Sequence, residues 1–107
     1  MPEPGKPSKA EQELDDIDTV FDALAHASRR HILLVLHFRG GEMTAGEIAE
    51  RFECTWPTTT RHLGVLRDAG LVSVAKRGRQ RVYRLERERL RDVAGDWLDH
   101  FRTEDGT

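Results

Sequence analysis

A chain of 107 residues fits a single domain whose small core has little spare stability for cavities or buried charge. With 37% hydrophobic and 34% charged residues it reads as soluble and folded, not disordered, and its longest apolar stretch, residues 32–38, is far short of a membrane span. The net charge of −2 conceals a division: residues 55–85 hold seven basic residues against the single acid Asp68, a local +6, and the remainder carries −8.

The start of the chain lacks an apolar signal region, and the one cysteine, Cys54, cannot form an intrachain disulfide. Both features point to a cytoplasmic protein. Residues 1–14 hold three of the four prolines and no apolar period, so they read as a flexible tail ahead of a domain at 15–102, with a second short tail at 103–107.

From Asp16 the apolar positions Ile17, Val20, Phe21 and Leu24 recur at helical spacing and predict a first helix. Ser28 offers an N-cap for a second, largely buried helix through Phe38, and Gly40-Gly41 stops it. Thr44 and Glu47 have capping-box spacing, with Met43 placed to staple onto Ile48, so a short third helix starts at Ala45 with Ile48, Ala49 and Phe52 inward. Thr55 caps a fourth helix that tolerates Pro57 in its first turn, faces Leu63, Leu66 and Ala69 inward and ends at Gly70.

After Gly70 the period becomes extended. Residues 71–75 and 81–85 are β-rich runs around the turn residues Arg77-Gly78-Arg79, a hairpin with a basic tip. A last helix, about 86–101, puts Leu90, Val93, Ala94, Trp97, Leu98 and Phe101 on one stripe. The whole reads as a mainly α fold with a small β-hairpin, a winged helix-turn-helix of order α-α-α-α-β-β-α.

The fourth helix exposes Trp56, Thr58, Thr60, Arg61 and His62 near its N-terminal half, the end that enters the major groove of double-stranded DNA when such a motif docks. Arg61 can read guanine bidentately, hydroxyls and His62 can bond bases or phosphates, and threonine methyls can touch thymine. Lys76, Arg77, Arg79, Gln80 and Arg81 supply a wing for phosphate contact and minor-groove insertion. The first and last helices carry more apolar surface than this small core covers, so they either close a monomer's core or meet a second copy through Ile17, Phe21, Leu90, Val93, Trp97, Leu98 and Phe101.

Phe21-Asp22-Ala23-Leu24-Ala25, Arg29-Arg30-His31-Ile32-Leu33, Glu47-Ile48-Ala49 and the run from Thr60-Arg61-His62-Leu63 to Ala69-Gly70-Leu71-Val72 resemble the ArsR/SmtB family of bacterial repressors over roughly residues 18–85. The resemblance implies a homodimeric winged-helix repressor whose operator binding is relieved by a signal. It places Thr60, Arg61 and His62 on the recognition helix and the residues around Gly78 on the wing, and it turns Thr59 inward. Where the family commonly has Asp-Pro-Thr ahead of the second helix, this chain has His26-Ala27-Ser28, which keeps a cap residue and drops the proline.

The family's metal sensors use cysteines on the third helix or acid and histidine ligands on the last. The third helix here has no cysteine, and on the last only Asp96 and His100 stand four apart as candidate hard ligands, for which a solvated pair is the blander account. No metal or other cofactor is expected, and no inducer is identifiable. Cys54 precedes the recognition helix, where a lone cysteine is ordinarily a small apolar residue. His26, His31 and His37 do not share a face, and no phosphate-cradling glycine loop or strained nucleophile elbow occurs, so the chain does not read as an enzyme. The remaining alternative to an operator-binding regulator is a winged-helix module for nonspecific nucleic-acid or protein interaction.

Overall fold

The computed structural model describes Gly5, residues 8–52 and residues 55–103. Helix α1 spans Lys9–Leu24, α2 Ala27–Phe38, α3 Ala45–Arg51 and α4 Trp56–Asp68, with strand β1 at Glu42–Thr44, β2 at Val72–Arg77 and β3 at Gln80–Leu85. A last helical stretch runs through α5 (Arg87–Leu90), a π-helical segment (Arg91–Gly95) and α6 (Asp96–Asp99). The expected winged helix-turn-helix is the fold observed.

Helix α1 starts earlier than its apolar period suggests. Ser8 caps it by accepting from the Glu11 amide at 3.2 Å, so residues 9–14, read above as tail, are helical. That first part is solvated on every side, which is why it shows no apolar period; the buried contacts begin at Val20 and Ala23.

The junction into α2 also differs. Ser28 lies inside the helix, and His26 occupies the cap position without a side-chain bond. The groups satisfied here are the orphan carbonyls at the end of α1: Arg29 Nε donates to Ala23 O at 2.7 Å, and Arg30 Nη1 donates to Leu24 O at 2.7 Å. Two arginines from α2 thus lock the helix pair. At the other end Gly40 and Gly41, both with φ above +90°, reverse the chain into β1.

Strand β1 was not anticipated as a strand. It adds a third member to the hairpin in the order β1-β3-β2, all antiparallel, with Met43 opposite Tyr83. The capping box is formed as expected: Thr44 Oγ1 accepts from the Glu47 amide at 3.1 Å, and Glu47 accepts from the Thr44 amide at 3.0 Å. Those bonds hold the Glu47 carboxyl below its ordinary pKa. Thr44 therefore both ends a strand and caps a helix. In α3 Ile48 is buried and Phe52 half-buried, but Ala49 is exposed, contrary to its expected inward position, because so short a helix buries little more than one side chain.

The core gathers Val20, Ile32, Leu36, Met43, Ile48, Leu63, Leu66, Leu71 and Tyr83 from α1 through β3. Each fully buried aliphatic side chain contributes about 1.5–3 kcal/mol relative to exposure. From the last helical stretch only Ala94 is buried, with Leu90 and Val93 packed half-exposed against the core. The apolar stripe then leaves the core: Trp97, Leu98 and Phe101 are 38%, 58% and 68% exposed.

Candidate nucleic-acid interface

Helix α4 is oriented by what it buries. Thr59, Leu63 and Leu66 point into the core, and Thr59 is only 2% exposed, in keeping with its expected inward turn. At about 100° per residue, Arg61 then falls on the opposite side, exposed, with Thr60 exposed beside it. Thr55 caps the helix through its hydroxyl, accepting from the Thr58 amide at 3.4 Å and donating to Thr58 Oγ1 at 3.0 Å. Thr58 is thereby half-buried and shared with the cap.

His62 is not brought to this face. Its ring lies 5.5 Å from that of His26 at the start of α2, and its Nδ1 is buried without a hydrogen-bond partner among the described residues. Burial, reinforced by the positive charge of Arg29 and by His26 and Arg61, lowers its pKa from the ordinary 6.5. Sequence spacing put it among the DNA-facing side chains; the packing of α4 on α2 turns it toward the helix pair.

The hairpin tip turns through Gly78, at φ +60°, and Arg79, with Lys76 opposite Arg81 and Arg77 opposite Gln80. All five wing residues are exposed. Arg77 differs from the rest, since its guanidinium pairs with Glu42 of β1 at 3.1 Å. Wing and recognition helix meet around a shallow cleft of about 430 Å³ lined by Trp56 of α4, Arg79, Gln80 and Arg81 of the wing, and the Thr44-Ala45-Gly46 start of α3. That last contribution was not foreseen, because the register that brings β1 alongside β3 is a long-range pairing.

Away from this face, Phe21 of α1 meets Trp97 edge-on at 5.1 Å between ring centroids, and Trp97 meets Phe101 at 4.9 Å. Ile17 is half-buried beside them. Asp96 and His100 are exposed in the cleft between α1 and the last helical stretch, and no group of three metal-ligating side chains is assembled among the described residues. Cys54 lies outside the described residues. Arg89, assigned no role from the sequence, links distant elements: it donates to Ala69 O at the end of α4 at 3.3 Å and to Asp16 of α1 at 3.2 Å. The Asp16 carboxyl is held below its ordinary pKa chiefly by that bond.

Residues 24–75 match the model of a helix-turn-helix domain family. The chain is 36% identical to the transcriptional repressor SdpR of Bacillus subtilis, over 79% of this chain and 91% of that one, and 33% identical to the arsenical resistance operon repressor of Staphylococcus xylosus, over 84% of each. The chain belongs to the ArsR/SmtB family. Among solved structures, the ArsR family transcriptional regulator RHA00566 superposes with a TM-score of 0.67 at 31% identity, covering 86% of this chain and 95% of that one. A homodimeric winged helix-turn-helix DNA-binding domain from Mycobacterium bovis superposes with a TM-score of 0.70 at 26% identity, covering 92% and 90%. As an ArsR-family protein, the chain is a DNA-binding transcriptional regulator. No helix among its described residues is long and apolar enough to cross a membrane.

Proposed function

We propose that this regulator is a cytoplasmic homodimeric repressor that binds an imperfect palindrome in a promoter, one recognition helix per successive major groove. The observation that carries the reading is the cleft in which Trp56 of α4 meets Arg79, Gln80 and Arg81 of the wing, with Thr60 and Arg61 exposed farther along the same helix. Arg61, opposite the buried face, is the base reader, with bidentate reach to guanine O6 and N7. Thr60 adds a hydroxyl and a methyl for neighbouring bases. Trp56, Thr58 and the N-terminal amides of α4 border the phosphates, which a helix N-terminus favours. Lys76, Arg79, Gln80 and Arg81 grip the backbone, and Arg77 contributes less while Glu42 shares its charge.

Two protomers pair through α1 and the last helical stretch. Phe21, Trp97 and Phe101 form the aromatic centre, Leu98 and Ile17 extend it, and Leu90 and Val93 support it from the core side. The exposed Trp97 and Phe101, clustered with the half-buried Phe21, are the kind of aromatic surface a protein interface buries. The reading assigns the chain no catalytic step.

The test is a salt titration of binding to the promoter of the protein's own gene against a scrambled duplex. Specific sites bind about 10³–10⁷ times more tightly than nonspecific DNA. Equal affinity for the two duplexes would support a nonspecific winged-helix module instead.

A further inference from the structure

A groove of about 550 Å³ lies between α2, the end of α1 and the start of the last helical stretch, outside both the DNA face and the aromatic cluster. Its floor is aliphatic, with Leu24, Leu34 and Leu90 among its walls, and Leu34 stands 52% exposed on a helix whose other leucines are buried or nearly so. Its rim carries Arg30, Arg87 and Arg91, and no acidic side chain lines it. The existing bonds of these guanidiniums go to acceptors other than carboxylates: Arg30 to the Leu24 carbonyl and Arg87 to His37 Nδ1. Arg91 has no ion pair among the described residues.

Three cations around an apolar trough, without a counter-charge, select an occupant with both an alkyl body and an anionic head. We infer that this groove binds a medium-chain fatty carboxylate, its chain on the leucines and its carboxylate among the arginines. The volume lies within the range of small-molecule sites, about 300–1,000 Å³. A second copy is the poorer occupant. Centred on a two-fold axis, the groove would press the three arginines of one protomer against those of its partner. A cationic or neutral amphiphile would leave the rim uncompensated.

The groove touches both the end of β3, at Leu85, and the helical stretch that leads to Trp97, so a bound chain would contact elements that continue into the wing and into the aromatic cluster. The inference deepens the repressor reading by naming a class of signal, but its test is made without DNA and is decided separately. The full chain is titrated calorimetrically with dodecanoate below its micelle concentration, with dodecyltrimethylammonium as the opposite-charge control. Saturable binding of one dodecanoate per protomer is expected, with the cation weaker by about tenfold or more, and Arg91→Glu should lower dodecanoate affinity by about tenfold with the helical circular dichroism unchanged. Absence of saturable binding, equal binding of the cation, or an Arg91→Glu variant that binds as tightly as wild type overturns the inference. Leu34→Gln supplies an independent check. It should weaken dodecanoate without changing the sedimentation coefficient, and conversion to monomers would show instead that the groove is a contact between copies.

Discussion

Replacing Arg79 by alanine isolates the grip of the wing from the reading of bases. Arg79 sits at the exposed turn of the hairpin, beside the Trp56 cleft, and carries no ion pair among the described residues, so its full charge is available to a phosphate. Each phosphate neutralised contributes a slope of about 0.9 in log affinity against log salt, and a dimer that loses the contact in both protomers loses about 1.8. Over a fourfold rise in salt, from roughly 50 to 200 mM, wild type should therefore lose about 12-fold more affinity than the variant. Arg77→Ala should flatten the slope less, because Glu42 at 3.1 Å already shares that guanidinium. Fluorescence anisotropy on operator and scrambled duplexes at four or five salt concentrations measures both slopes. Arg79→Ala should weaken the two duplexes alike. A change in sequence preference with an unaltered slope would refute the phosphate role of the wing.

Arg61→Ala should cost about 1–3 kcal/mol of discrimination at one base pair per half-site, measured by competition with single-substitution operators. Trp97→Ala should shift sedimentation toward monomers, since it removes the ring that joins Phe21 to Phe101; an unchanged dimer would place the interface elsewhere. Gly64→Ala should stabilise the fold by about 0.5–1 kcal/mol in urea melts, because a methyl there meets no atom within 4 Å and the helix gains propensity. For His62 the folded pKa lies below 6.5, so the unfolded chain binds its proton more readily. Its contribution to stability is complete above that value and is lost as pH falls through it toward the folded pKa; melts at pH 8 and 5.5 should therefore differ less for His62→Gln than for wild type.

What was legible in the sequence was local. The Thr44/Glu47 box and the Thr55 cap lie within three residues of their partners, and Gly70 adopts the positive φ that ends α4, so short spacing carried the information. Leu63, Leu66 and Ala69 were readable as a buried face for the same reason. The misplaced start of α2 shows the boundary: Ser28 has cap chemistry, but the bonds at this junction come from Arg29 and Arg30 to carbonyls six residues back. Strand β1 exists because Met43 pairs with Tyr83, 40 positions away, and three residues alone carry no strand period. The turn of His62 toward α2 was not readable because its helix position flanks the buried face, and only the packing of α4 on α2 decides which way such a flank turns. The link from Arg89 to Asp16 spans 73 positions and has no sequence signature at all. Of the proposed DNA surface, the exposed Arg61 and the basic tip were visible as pattern; the cleft that brings Trp56 to the wing was not.

The most direct measurement is methylation protection of guanine N7 on the operator by the full-length protein. Two protected patches in successive major grooves, about 10 base pairs apart, are expected, each lost in Arg61→Ala. A single patch, or two patches that persist in that variant, would contradict a dimer that reads DNA through α4.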